Sequence, residues 1–207
     1  MDKFAAIGMK EAISNQVGSM KSSLKSEPNG IKWDDFNYPP LLRVIHYSSE
    51  ELQEPARNIS KRIHASFLIL VLILFINVIN CIVQTAQGGE GIMIFYSVLN
   101  ILIFVPLGMF TFYRGYRGLA NDIYLLKFYK IVQAILVILY IVFSIIAAGA
   151  FNGWIRVKTL LGSQEYFPGI LSIIESALYS INALLAISCI ISVHNYREKG
   201  SSESDKI

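Results

Sequence analysis

Residues 104–118, FVPLGMFTFYRGYRG, decide the fold of this chain. A long apolar run, interrupted by Pro106 and Gly108, ends here in aromatic rings and then in Arg114 and Arg117. This order is typical of a helix that leaves the hydrocarbon of a membrane, because aromatic rings favour the headgroup layer and guanidinium groups need water or phosphate. Two apolar segments lead up to this exit and two more follow it. The sequence therefore predicts four membrane-spanning helices.

The composition supports a membrane protein. Of the 207 residues, 54% are hydrophobic and only 16% are charged, whereas a soluble domain carries about 25% charged residues. The net charge of +3 is too small to indicate a nucleic-acid partner. Cys81 and Cys189 fall inside apolar runs and form no metal or disulfide pattern, so we expect two small buried side chains rather than reactive thiols.

The predicted fold class is an all-α integral membrane protein, a four-transmembrane-helix bundle with cytosolic N- and C-termini. Each predicted span is an uncharged or nearly uncharged run of about 20 residues or more. The predicted segments are a cytosolic arm with a short amphipathic helix (1–32), a cytosolic juxtamembrane segment (33–64), the first span (65–86), the second span (92–113), a cytosolic loop (114–127), the third span (128–151), a luminal loop (152–167), the fourth span (168–193) and a cytosolic tail (194–207).

The orientation follows from the distribution of basic residues. Of the 18 lysines and arginines, nine lie in residues 1–64, four in residues 114–130 and three in the tail. The opposite side keeps only Arg156 and Lys158. Because cytosolic loops carry an excess of Lys and Arg, we expect both termini and the middle loop in the cytosol.

Several polar residues interrupt the predicted spans. Lipid offers them no hydrogen bonds, so we expect them to face other helices. One interpretation is an ion or proton path with Glu175 as the titrating group. The interpretation that we favour is hydrogen bonding between helices, with Glu175 close enough to the luminal end to reach water. The predicted interhelix polar residues are Asn77, Asn80, Asn100, Gln133, Glu175 and Asn182.

The sequence contains no motif of known catalytic chemistry. His46, His64 and His194 are scattered, without the spacing of a metal site. Nucleotide-binding and nucleophile-elbow patterns are absent from the sequence. We therefore predict no catalytic residue, no metal and no cofactor, and the protein is not expected to be an enzyme.

Six short motifs occur in an order that resembles the secretory carrier-associated membrane proteins, the SCAMP family. They run from Asn37 to Arg197 and include the end of the second span and the residues that follow it. Each motif is weak alone, whereas the ordered set is fairly specific. They are Asn37-Tyr38-Pro39-Pro40-Leu41, Lys61-Arg62-Ile63-His64, Phe104-Val105-Pro106-Leu107-Gly108, Phe112-Tyr113-Arg114, Phe151-Asn152-Gly153-Trp154 and Val193-His194-Asn195-Tyr196-Arg197.

The sequence also departs from that family. It has no Asn-Pro-Phe tripeptide in its arm, and it lacks the family's longer coiled-coil arm. After Arg114, residues 115–118 read Gly-Tyr-Arg-Gly, where the family has Pro-aliphatic-Tyr-Lys.

The resemblance implies a non-enzymatic vesicle protein of post-Golgi and endosomal recycling traffic, acting in protein transport, membrane organisation or fusion. It implies residence in the trans-Golgi network, recycling endosomes, transport vesicles and the plasma membrane. The implied partners are membrane lipids including phosphoinositides, membrane-trafficking proteins and further subunits in an oligomer. The alternative is a small channel or transporter subunit that uses Glu175. The residues to which the resemblance assigns lipid binding are Tyr113, Arg114, Tyr116, Arg117, Lys127 and Lys130.

Overall fold

A computed structural model of the chain describes the backbone of residues 31–204. The amphipathic helix predicted within the arm, and the last residues of the tail, lie outside the described residues. The chain divides into two units, one ending at His46 and the other beginning at Tyr47.

The described part of the first unit, residues 31–46, folds back on itself. Tyr38 and Ile45 exchange backbone hydrogen bonds of 2.9 Å in each direction. Between them, the backbone N–H groups of Leu42 and Arg43 donate to the carbonyl of Pro39 and close a turn. His46 Nδ1 lies 2.8 Å from the carbonyl oxygen of Asp35 and ties the two ends of this segment together.

The second unit is mostly helical. A short 3₁₀ turn at Ser49–Glu51 precedes the first long helix. The elements that follow are α1 (Ala56–Ala86), α2 (Ile92–Ala120), α3 (Ile123–Ile145), the strands β1 (Ala147–Ala148) and β2 (Phe151–Asn152), α4 (Trp154–Gly162) and α5 (Tyr166–Ser204).

The four long helices have the composition of membrane spans. By length and hydropathy, α1, α2, most of α3 and residues Tyr166–Tyr196 of α5 could each cross a membrane. A helix satisfies its own backbone hydrogen bonds, which is what hydrocarbon demands of a spanning segment. The predicted all-helical membrane fold with four apolar spans is confirmed.

Sequence features also determine the connections between helices. Gly88 takes a positive φ of 98° after α1. The Asp122 side chain caps α3 by accepting a hydrogen bond from the N–H of Tyr124 at 2.9 Å.

Three of the long helices, α1, α2 and α5, are longer than the predicted spans, whereas α3 ends at Ile145 and not at residue 151 as predicted. α1 begins at Ala56 rather than at 65, and α2 continues to Ala120. The predicted loop at 114–127 consists of the end of α2, Asn121 and Asp122, and the start of α3. The span limits stay predictions, because the end of a helix and the edge of the lipid are different boundaries.

The connection from α3 to α5, predicted as the end of the third span and a loop at 152–167, also has structure of its own. β1 and β2 form a small antiparallel hairpin in which Ala147 pairs with Asn152 and Ala148 with Phe151. Gly149 lies in its turn with a φ of +56°, a conformation that favours glycine. α4 follows directly, so this connection is a folded cap rather than an irregular loop.

The core lies between the long helices. α1 packs against α2 and α5, and α3 packs against the same two helices, which closes a four-helix ring. Apolar side chains from these helices interlock inside the ring, and this packing holds the helices together. Both cysteines are buried and unpaired, as predicted. The shared core contains Leu70, Ile73 and Leu74 of α1, Leu136, Tyr140 and Phe143 of α3, and Tyr179, Ala183 and Ala186 of α5.

Candidate functional site

Cations and aromatic rings alternate where α2 ends and α3 begins, a region that we call the basic end. The guanidinium carbon of Arg114 lies 4.8 Å from the ring centre of Phe110 and 5.5 Å from that of Phe128. Arg117 lies 5.9 Å from the ring centre of Tyr113. These distances are those of cation–π interactions, which orient the guanidinium groups on the rings without neutralising their positive charge.

Two glycines allow α2 and α3 to approach closely at the basic end. A Cβ atom on Gly118 would lie 2.6 Å from Leu126 Cδ2 and 2.9 Å from the Leu126 backbone nitrogen. A Cβ atom on Gly115 would lie 2.9 Å from a ring carbon of Tyr129. Small residues in this role are characteristic of membrane helices that pack tightly. The Arg-Gly-Tyr-Arg-Gly sequence therefore combines two cations with the contact surface for α3.

The position of Tyr116 differs from the one expected of a lipid-binding residue. Its side chain is fully buried, and its hydroxyl donates to the carbonyl oxygen of Ser48 at 3.1 Å and accepts from the Ser48 N–H at 3.3 Å. The ring of Tyr47 packs edge-on against it, with the ring centres 5.1 Å apart. Burial raises the pKa of the Tyr47 phenol, so that this ring stays neutral. Tyr116 thus fastens the segment before α1 to α2 and is not placed to contact lipid.

The other five residues assigned to lipid binding remain accessible. Tyr113, Arg114 and Lys130 are half-buried, and Arg117 and Lys127 are exposed. The Lys127 ammonium lies 5.6 Å from the ring centre of Tyr124. The structure therefore places four cations on the adjoining ends of two packed helices.

A second polar arrangement lies inside the bundle, toward the other end of the helices, and is centred on Glu175 of α5. One carboxylate oxygen accepts from Asn77 Nδ2 at 2.8 Å, and the other accepts from Asn80 Nδ2 at 3.4 Å and from Asn152 Nδ2 at 3.3 Å. All four side chains are at most 1% exposed. The expectation that Glu175 reaches water is wrong, because amide groups from α1 and β2 enclose its carboxylate.

Further hydrogen bonds extend this cluster, which we call the Glu175 cluster. Gln84 Nε2 donates to Asn80 Oδ1 at 3.1 Å and to Asn152 Oδ1 at 2.8 Å. Asn80 also donates to Ser172 Oγ at 2.9 Å, and Ser176 Oγ donates to the Asn152 carbonyl at 3.0 Å. Every side-chain amide nitrogen in the cluster has a partner, whereas Asn77 Oδ1 has none among the described residues, and buried polar groups stabilise a fold where they are hydrogen-bonded. The cluster therefore anchors the β-hairpin to α1 and α5.

The remaining predicted interhelix residues lie elsewhere. Asn182 is buried and accepts from Ser66 Oγ at 2.7 Å, which joins α5 to α1 at a second level. Gln133 is buried beside a small cavity of about 10 Å³. Asn100 is half-buried on α2.

Sequence reasoning did not assign Asn152, Gln84 or Ser172 to this polar site. Gln84 lies near the end of a predicted span, and Asn152 falls in a predicted loop. The one available signal was the Phe151-Asn152-Gly153-Trp154 motif, which the resemblance singled out.

Within the described residues, no group of three or more His, Cys, Asp or Glu side chains could hold a metal ion.

A family model described as the SCAMP family matches residues 35–200. This match includes the four long helices, the basic end and the Glu175 cluster. The chain belongs to the SCAMP family. It is 30% identical to secretory carrier-associated membrane protein 4 of Arabidopsis thaliana over 81% of this chain and 66% of that relative. It is 26% identical to secretory carrier-associated membrane protein 4 of Homo sapiens over 80% of this chain and 77% of that relative.

The matched region leaves out part of these SCAMP relatives. The chain spans 66% of the Arabidopsis protein and 62% of secretory carrier-associated membrane protein 5 of Oryza sativa. No solved structure matches the chain. Membership and the four apolar helices together identify a multi-pass membrane protein of the SCAMP family.

Proposed function

We propose that this SCAMP-family protein is a non-enzymatic component of post-Golgi and endosomal recycling carriers, and that its basic end binds phosphoinositides. In this role it organises the membrane or assists fusion in the trans-Golgi network, recycling endosomes, transport vesicles and the plasma membrane. The observation that carries the proposal is the set of Arg–aromatic pairs on two packed helix ends, in a chain whose family is that of secretory carriers.

The chemistry of the basic end supports lipid recognition. A phosphoinositide headgroup carries several phosphate charges, and arginine binds phosphate through a planar fork of N–H donors. Phe110, Phe128 and Tyr113 place aromatic surface beside Arg114 and Arg117, and such rings favour the headgroup layer. Lys127 and Lys130 add two further cations on α3. Each cation beside an anionic leaflet contributes about 1 kcal/mol.

Replacing both arginines, as Arg114→Ala with Arg117→Ala, is expected to weaken phosphoinositide binding about 30-fold, since two contributions of about 1 kcal/mol are removed. The measurement is a titration of the purified protein in detergent with a short-chain phosphatidylinositol bisphosphate at physiological salt. The matched control is Arg156→Ala with Lys158→Ala, which removes the same charge from the predicted luminal side and should leave the affinity unchanged. Equal affinities for wild type and the Arg114/Arg117 variant would reject lipid binding at the basic end.

The proposed orientation has both termini and the basic end in the cytosol, supported by the excess of basic residues on that side. An acceptor site for N-glycosylation inserted at 87–91 is therefore expected to be modified, whereas the natural Asn58-Ile59-Ser60 sequence is expected to stay unmodified. A mobility shift on glycosidase treatment of protein from sealed vesicles distinguishes the two. A glycan on Asn58 would reverse the orientation.

A further inference from the structure

A groove of about 550 Å³ runs between α3 and α5 at the basic end. Its apolar floor consists of Ile131 and Ala134 of α3 and Ile190 and Ile191 of α5. Its rim consists of Lys127, Lys130 and His194. This volume falls within the range of about 300–1,000 Å³ typical of small-molecule sites.

Ala134 gives the groove its depth. It is exposed, and isoleucines lie beside it: Ile131 on the same helix and Ile190 and Ile191 on the facing helix. Ile131 is 64% exposed and Ile191 is 54% exposed, whereas Ile190 is half-buried and packs against the core, so the floor is open apolar surface that borders the core. A methyl side chain at this position leaves space that a larger residue would fill.

The charges on the rim define the occupant. Among the described residues that line the groove there is no aspartate or glutamate, whereas two lysines stand at its rim. A ligand that matches this surface has an anionic head and an apolar chain. A symmetric contact with a second copy of the chain through this groove would bring four lysines into one interface, and their repulsion disfavours it.

We propose that the groove between α3 and α5 holds one anionic glycerophospholipid, with its phosphate at Lys127 and Lys130 and an acyl chain along Ile131, Ala134 and Ile190. The inference rests on the proposed lipid role of the two lysines and adds a bound chain, which Arg114 and Arg117 do not contact. This lipid is a resident of the bundle that seals α3 against α5, and it is distinct from a headgroup that binds at the end of α2.

The test measures which lipids remain with the protein after purification in mild detergent. Extracted phospholipids are quantified by mass spectrometry relative to protein and compared with the membrane from which the protein came. Wild type is expected to retain anionic phospholipid in excess of its share in that membrane. Ala134→Trp, which fills the groove, is expected to lose most of it, and Lys127→Ala with Lys130→Ala is expected to lower retention about 30-fold.

Two controls separate this site from the proposed headgroup site. Leu184→Trp places the same large side chain on a position of α5 that is 69% exposed, and it should leave retention unchanged. Arg114→Ala with Arg117→Ala should leave the retention of anionic phospholipids other than phosphoinositides unchanged, while it weakens binding of the short-chain phosphoinositide. The two proposals can therefore fail separately.

Three outcomes would overturn the inference. One is equal retention of anionic lipid by wild type, the Ala134→Trp variant and the lysine variant. Another is retained lipid with the composition of the source membrane. The third is a dimer of the wild-type protein that Ala134→Trp converts to monomer, because a second copy would then occupy the groove. The lysine variant changes only accessible side chains, so its retention decides between these outcomes even where Ala134→Trp does not fold.

Discussion

Replacing Gly153 with alanine is expected to destabilise the protein by about 3 kcal/mol or more, because the new methyl group has no space. A Cβ atom on Gly153 would lie 2.5 Å from both the carbonyl carbon of Ile145 and the carbonyl oxygen of Ile146. Both are backbone atoms, so no side chain can rotate away. The Gly153 N–H also donates to that Ile146 oxygen at 2.8 Å. Movement of this backbone would carry Asn152 away from Glu175.

The matched control for this substitution is Gly162→Ala at the end of α4. A Cβ atom there would meet nothing within 4 Å. Alanine is a better helix former than glycine by about 1 kcal/mol, so this variant should be as stable as wild type or slightly more so. Thermal unfolding in detergent, followed by circular dichroism, compares the variants. Equal melting temperatures for Gly153→Ala and Gly162→Ala would contradict the close contact.

Replacing Glu175 with alanine is expected to cost about 2–5 kcal/mol of stability, because three buried amide groups each lose one of their acceptors and the truncated side chain leaves a cavity. Asn77, Asn80 and Asn152 all donate to Glu175. Glu175→Gln keeps one acceptor oxygen and the side-chain volume, so its loss should be smaller. Denaturant titration in detergent micelles provides the measurement.

Glu90→Ala is the control for the loss of a carboxylate, since Glu90 is exposed in the turn between α1 and α2. It should change stability by no more than about 0.5 kcal/mol. If Glu175→Ala behaves like Glu90→Ala, the Glu175 cluster does not hold the bundle together.

The alternative function, a channel or transporter subunit, is tested with the protein reconstituted in liposomes. Ion flux through the wild-type protein that Glu175→Gln abolishes would favour this alternative over the proposed carrier component.

The four long helices could be predicted from the sequence, because each one is indicated by an apolar run within its own residues. Uncharged runs such as 65–86 and 92–113 leave a spanning helix as the stable structure in lipid, whatever the rest of the chain does. Asp122 as a helix cap is equally local, since its side chain and the Tyr124 N–H are two residues apart. The buried polar residues Asn77, Asn80 and Glu175 were visible as exceptions within apolar runs, although the sequence did not show that they meet.

The parts that the sequence did not reveal depend on contacts distant in the chain. β1 and β2 have two residues each, too few for an alternating pattern. Asn152 looks like an ordinary turn residue until Gln84 and Glu175 are seen to bind it. Tyr116 lies between two arginines in the sequence, and its burial is explained by contacts with Tyr47, Ser48 and Glu51, which are at least 65 residues away.

The connection between α2 and α3 consists of Asn121 and Asp122 alone. Arg114, Arg117, Lys127 and Lys130 consequently project from helical backbone on both sides of a tight corner. A flexible loop would lose conformational entropy on closing around a headgroup, whereas this corner is already ordered and loses little. Under the proposed function, the fixed spacing of the cations favours headgroups whose phosphates match their positions, so the short turn would make the basic end selective among phosphoinositide isomers.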